Sequence, residues 1–233
     1  MNQNLSVNKK YVAIICYAIG PIMFGVLPVL VNAFNARLGF SVEESGFIAS
    51  ADLAGLFVGQ ILTAIFIRKL SARKVALIGA LLFSGGNFLT PLTDTFTSLV
   101  TIRFLSEIGG GIFIALCMTF LSRTENPDRY IGFSVSLQLM LTIGLLLTTP
   151  LMLDLLDISG FFIVLAFLSC LTFLAVIYPL DIDFTIGMNK SISDKKLTST
   201  DKNALVGIAS ILIYWVGIGA LWSFIEVIGS EKG

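Results

Sequence analysis

Residues 98–121 read SLVTIRFLSEIGGGIFIALCMTFL, an apolar run interrupted by one cation and one anion, Arg103 and Glu107. A helix needs about 20 apolar residues to cross a bilayer. With no water in the bilayer to satisfy backbone groups, such a run spans as a helix. Arg103, Ser106, Glu107, Gly110 and Ile114 share one helical face, and Phe104, Leu105, Ile108, Ile112 and Ala115 share the other. Arg103 and Glu107 stand four apart and can pair along the helix. An Arg in the outer half of a span can also snorkel to the interface. Its acidic neighbour on the same face points instead to a polar path buried among helices.

The rest of the chain repeats this apolar block length. It is 56% hydrophobic and 13% charged, with a mean hydropathy of +0.92; an average soluble domain is about 25% charged. Seven spans are expected: Tyr11–Asn35, Gly46–Ile67, Val75–Leu92, Ser98–Leu121, Ile131–Leu153, Gly160–Tyr178 and Ala204–Ile228. The fold class is therefore an all-α, multi-pass integral membrane bundle. Basic residues fall in every second connection: Lys9 and Lys10; Arg68, Lys69, Arg73 and Lys74; Arg123 and Arg129; Lys190, Lys195, Lys196 and Lys202. Of the 15 Lys and Arg residues, only Arg37 and Lys232 fall on the opposite side, and Arg103 lies within a span. Lys and Arg collect on the cytoplasmic side, so the N-terminus is expected inside.

Composition narrows function further. The net charge is zero and there is no histidine. Nothing suggests a nucleic-acid partner or a polybasic lipid anchor, and the commonest metal ligand is missing. Cys16, Cys117 and Cys170 all lie in spans and read as small apolar fillers. No metal site, cofactor motif or enzyme-like His, Asp or Cys constellation is apparent. The first apolar stretch is too long for the core of a secretion signal, which runs about 7–15 residues.

The polar stretch Pro179–Asn203 separates the sixth span from the seventh. It divides the chain into a six-helix bundle (1–178), a cytoplasmic linker (179–203) and the first helix of a second bundle (204–233). The expectation is a fragment whose second bundle is missing.

Polar stripes mark the helices that face a shared interior. On the first, Tyr17, Pro21, Gly25, Pro28, Asn32 and Asn35 share a face, away from Ile15, Ile19, Ile22, Val26 and Leu30. On the second, Asp52, Gly55, Gly59, Gln60 and Thr63 cluster opposite Leu53, Phe57, Val58, Ile61 and Ile65. Gly55 and Gly59 allow close helix approach. Gln138 is the polar interior residue of the fifth span, and Trp215, Gly219, Trp222 and Glu226 line the seventh. The third and sixth spans read as peripheral and lipid-contacting.

The run from Arg103 to Gly111 resembles the fourth-helix motif of the major facilitator superfamily, through Arg103, Gly109, Gly110 and Gly111. That family more often has a Gln-Gly pair where this chain has Ser106 and Glu107. In the loop after the second helix only Arg73 and Lys74 fit the family pattern; Ile65, Lys69 and Ala72 occupy its other positions. The Pro127-Asp128-Arg129 run resembles the family's next cytoplasmic loop. The glycine-proline pattern of drug/proton antiporters is not met by Thr142 to Pro150. The resemblance implies two six-helix bundles rocking around a midplane site. It implies a symporter or antiporter of a small solute in the cell membrane, the inner membrane if bacterial. Arg103 slightly favours an organic anion, and protons are the expected coupling ion. Arg103, Glu107, Asp52, Asn32, Tyr17 and Gln138 are the expected pathway residues. Gly55, Gly59, Arg73, Lys74, Gly109, Gly110 and Gly111 are expected to pack or gate the helices. A lipid bilayer is the surrounding partner, and no oligomer is required. The competing class is a seven-helix receptor, which an inside N-terminus opposes.

Overall fold

The computed structural model describes residues 7–180 except 68 and 94, together with 210, 213, 217–225 and 229. All regular structure among these residues is helical. The first span comprises α1 (Val7–Ile19) and α2 (Ile22–Leu38), broken at Gly20 and Pro21. Pro21 has no N–H to offer the carbonyl four residues back, so the ladder fails there. Next come α3 (Val42–Phe66), α4 (Ala72–Leu89, prolonged by a 3-10 turn, Thr90–Leu92) and α5 (Phe96–Leu121). Ser41 starts α3 with a capping box: its hydroxyl accepts from Glu44 N–H while the Glu44 carboxylate accepts from Ser41 N–H.

The helix α6 (Pro127–Cys170) has 44 residues, is followed by a 3-10 turn (Leu171–Phe173), and leads into the short α7 (Leu174–Ile177). At 1.5 Å per residue it would be about 66 Å long, twice a bilayer core. It is in fact two helical arms. Asp157 has φ 58° and ψ −178°, an arrangement costly for a residue with a side chain, and there the helix breaks. Tyr130 and Ile131 pack in the same cluster as Phe173, Leu174 and Val176, whereas Leu153 and Phe161 pack together with Phe34 in another. The chain therefore turns back at Asp157. Arg37, in the last turn of α2, holds this turn by donating to Leu153 O (2.6 Å) and pairing with Asp154 and Asp157.

Among the described residues, five helical stretches are long and apolar enough to cross a membrane, the last of them this doubled one. The seventh expected span is described only in part. Residues 217–225 are helical, and Phe224 packs with Leu27, Val31 and Ala49. Trp222 Nε1 donates to Phe24 O at 2.9 Å. Pro28 lacks the N–H which that carbonyl would otherwise take. Trp215, Glu226, Arg68 and most of the expected linker, residues 181–203, lie outside the described residues, as do Lys190, Lys195, Lys196, Lys202 and Lys232.

Two expectations about helix faces change. At its centre the first span is buried on both faces: Ile19, Ile22, Val26 and Leu30, expected to face away, are as sealed as Pro21, Gly25 and Pro28. At Gly25 the small-residue stripe is a packing face, since a Cβ there would lie 2.6 Å from Thr142 Oγ1. The third and sixth spans do turn Leu81, Phe88 and Phe167 outward. Their inner faces, however, carry Asn87 and Phe162 into the polar centre.

Candidate functional site

The centre is built on α5, which packs most extensively against α3 and α4. Three consecutive glycines let it serve three neighbours. At 100° per residue, successive positions face different directions. A Cβ on Gly109 would lie 2.4 Å from Gly79 O of α4, and one on Gly110 2.6 Å from Gly20 O at the first-span break. On Gly111 it would lie 2.1 Å from Leu56 O of α3. From the α3 side, Gly55 and Gly59 would meet Phe104 O at 2.4 Å and Ile108 O at 2.1 Å. Backbones this close draw the α3, α4 and α5 side chains onto one point.

That point is Arg103, 0% exposed although it is among the largest side chains of the chain. Its Nε donates to Asp52 Oδ1 at 2.9 Å, its Nη1 to Asn87 Oδ1 at 2.9 Å and its Nη2 to Glu107 Oε1 at 2.8 Å. Phe162, from the second arm of α6, sets its ring 5.1 Å from the guanidinium carbon, within cation–π range. Asn87 is oriented by its own amide, which donates to Phe83 O at 2.9 Å, so its carbonyl is the group turned to Arg103. Asp52 is 1% exposed and Glu107 is 0% exposed.

Two features define the chemistry of this cluster. It holds one fixed cation and two carboxyl groups, and one oxygen of each carboxyl, Asp52 Oδ2 and Glu107 Oε2, has no hydrogen-bond partner. A buried carboxylate without donors is strongly disfavoured. Two carboxyls sharing one site resist ionising together. One guanidinium thus faces two carboxyls in a site closed to solvent, and its single positive charge balances only one of them.

Asp52, Arg103 and Glu107 thus meet. Asn87 and Phe162 join them and were not anticipated, because neither an Asn near a span end nor a Phe in an apolar span stands out from its neighbours in sequence. Tyr17, Asn32 and Gln138 stand half-buried elsewhere, on α1, α2 and α6. Arg73 and Lys74 are exposed in the first turn of α4, where Ser71 Oγ caps the Lys74 N–H at 3.4 Å. Beside the cluster, an apolar groove of about 430 Å³ opens between α3 and α5, walled by Phe47, Ala51, Ala54, Val100 and Phe104. Ala51 and Phe104 are the chain neighbours of Asp52 and Arg103. Ser50 and Thr101 also line the groove, but their hydroxyls are committed to carbonyls of their own helices. At one end of the bundle, Lys10 pairs with Glu125 in the α5–α6 connection and lies 5.2 Å from the Tyr130 ring centroid. The hydrogen bond from Lys10 holds the Glu125 carboxyl below the usual carboxylate range.

Comparison with known proteins adds the lineage. The family model described as Major Facilitator Superfamily matches residues 13–233. The MFS-type transporter YfhI of Bacillus subtilis (strain 168) is 28% identical over 60% of this chain and 35% of its own length. The putative niacin/nicotinamide transporter NiaP of the same organism is 24% identical over 45% of this chain and 26% of its own. Glucose transporter 2C of Trypanosoma brucei brucei is 28% identical over 52% of this chain and 37% of its own. The chain thus spans about a quarter to a third of the length of these curated relatives.

Proposed function

The chain belongs to the major facilitator superfamily, and on that footing we propose that it is a secondary active transporter. It carries a small solute across the cell membrane by alternating access, as a symporter or antiporter driven by protons. The observation that carries this reading is the sealed Arg103–Asp52–Glu107–Asn87 cluster buried among the spans. An ionisable group inside a membrane is retained at a cost, and function is the usual reason. Membership of a transporter superfamily and the transporter names of the relatives support the class.

In mechanism, only a ligand that interacts differently with two states can move the protein between them. A proton on Glu107 or Asp52 cancels one negative charge and lets the cluster close away from water. Its departure leaves a net negative cluster that favours the water-filled, opposite-facing state. Arg103 is the cation to which a solute carboxylate would bind once the cluster has opened to water; this is the physical basis for favouring a small organic anion as solute. The relatives named for niacin/nicotinamide and for glucose lie within that range of solute size. Tyr17, Asn32 and Gln138 are proposed to line the solute path with the α3–α5 groove. The glycine contacts of α5 and the basic pair Arg73 and Lys74 are proposed to serve packing and gating. Residues 1–178 form the first bundle in this reading, 179–203 a cytoplasmic linker, and 204–233 the opening of a second bundle, with the N-terminus inside.

The test is uptake of a panel of labelled organic anions, amides and hexoses into membrane vesicles under an imposed pH gradient. Arg103→Ala is expected to abolish uptake, and Glu107→Gln to remove its dependence on the gradient. Uptake and pH dependence unchanged in both variants would refute the proposed coupling pair.

A further inference from the structure

We infer that the sealed cluster stores one proton, held on Glu107 Oε2, and that the proton's hydrogen bond is accepted by the Gly20 carbonyl at the break in the first span. The inference rests on the proton-coupled reading and names its proton site.

Charge comes first. Arg103 supplies one positive charge, Asp52 and Glu107 two negative ones, and all three are essentially without water. Arg103 spends its fork on Asp52, Asn87 and Glu107, and the Asn87 amide N–H is spent on Phe83 O. One proton makes the cluster neutral, and it must sit on a carboxyl oxygen not already accepting from Arg103.

Geometry then selects Glu107. Its unpartnered Oε2 lies 3.2 Å from where a Cβ on Gly110 would be, and Gly20 O lies 2.6 Å from the same point. The two oxygens therefore lie beside the same glycine, no more than 5.8 Å apart (2.6 Å plus 3.2 Å), a separation that a direct hydrogen bond or one bridging water spans after a small side-chain adjustment. In an unbroken helix Gly20 O would accept from Phe24 N, but that N–H goes to Pro21 O at 3.1 Å. A released carbonyl at mid-span needs a donor, and protonated Glu107 supplies one. The groups facing Glu107 are Arg103 on its own helix and Asp52 from α3. Asn87 of α4 and Phe162 of α6 act through Arg103. The first span carries no charged side chain between Lys10 and Arg37, only Tyr11, Cys16 and Tyr17 as titratable groups. Loading the proton therefore ties α5 to the hinge of the first span, and losing it releases that hinge.

Infrared difference spectroscopy of the protein in lipid nanodiscs, titrated from acid to alkaline pH, reads this without reading transport, so failure of the transporter reading and failure of this one are distinguishable. The expected result is a buried carboxylic-acid C=O band at neutral pH that disappears in Glu107→Gln and persists in Asp52→Asn. Gly110→Ala, or Glu107→Asp if the former misfolds, separates the two oxygens. Either should lower the proton affinity about tenfold and move the band to the frequency of a weaker hydrogen bond. A wild type with no such band, a band carried by Asp52, a midpoint unmoved in the separating variant, or loss of the band when potassium is replaced by sodium would each overturn the inference.

Discussion

The chain makes ion pairs at two depths, and their surroundings give the same chemistry different consequences. At the membrane edges, Lys10 with Glu125 and Arg37 with Asp154 keep at least one partner in contact with solvent. Inside the bundle, Arg103 with Asp52 and Glu107 has none. Exposed pairs are screened and are worth about 0–1 kcal/mol. A buried pair pays heavy desolvation, and removing one partner strands the other, at about 3–5 kcal/mol. The edge pairs fasten helix ends and turns. On the proposed reading, the central cluster is where protonation decides whether the bundle closes.

The largest expected effect is therefore Arg103→Ala, with a loss of about 3–5 kcal/mol in denaturant unfolding of the purified protein. Arg37→Ala in the same assay should lose no more than about 1 kcal/mol. Equal losses would break the comparison. Combining Arg103→Met with Asp52→Asn and Glu107→Gln should recover most of the stability while uptake stays lost, because a neutral core need not be paired. Next, Asn87→Ala should cost about 1.5–3 kcal/mol, the worth of a hydrogen bond to a charged group.

Gly59→Ala, with Ile108 O at 2.1 Å from the new Cβ, should cost about 1–3 kcal/mol by overpacking. Gly144→Ala, with nothing within 4 Å of the new Cβ, should instead stabilise by about 0.4–1 kcal/mol. The smallest effect is at the edge and depends on pH. Since Lys10 depresses the Glu125 pKa, the pair contributes above the unfolded carboxylate pKa and is lost as pH falls through the lowered folded value. Thermal melts of wild type and Glu125→Gln should differ at neutral pH and converge once the pH is below the ordinary carboxylate range.

The spans were legible because apolar length is a property of the sequence alone. So was the Arg103–Glu107 pairing, since a four-residue step determines it. Asp52 could be assigned to an interior face by the glycines beside it. What sequence does not carry is contact between helices. Asn87 and Phe162 depend on how α4 and α6 are rotated, which the close glycine approaches to α5 decide. The first span is ambiguous in sequence for a related reason: a stripe of Pro and Gly fits a cavity wall and a tight packing face equally well, and Thr142, far along the chain, determines which applies at Gly25. The turn at Asp157 was legible only as a gap between two apolar blocks, because its strained backbone is held by Arg37 from another helix.

Aqueous thiol labelling tests the central claim most directly, using single cysteines at Asn32, Asp52 and Glu107 in a background lacking Cys16, Cys117 and Cys170. The account predicts that all three positions react with a membrane-impermeant reagent in one orientation of the transport cycle and are protected in the other, with pH shifting the balance for the cysteine at Asn32, where the cluster is intact. Positions sealed to the reagent at every pH and in every solute condition would contradict it.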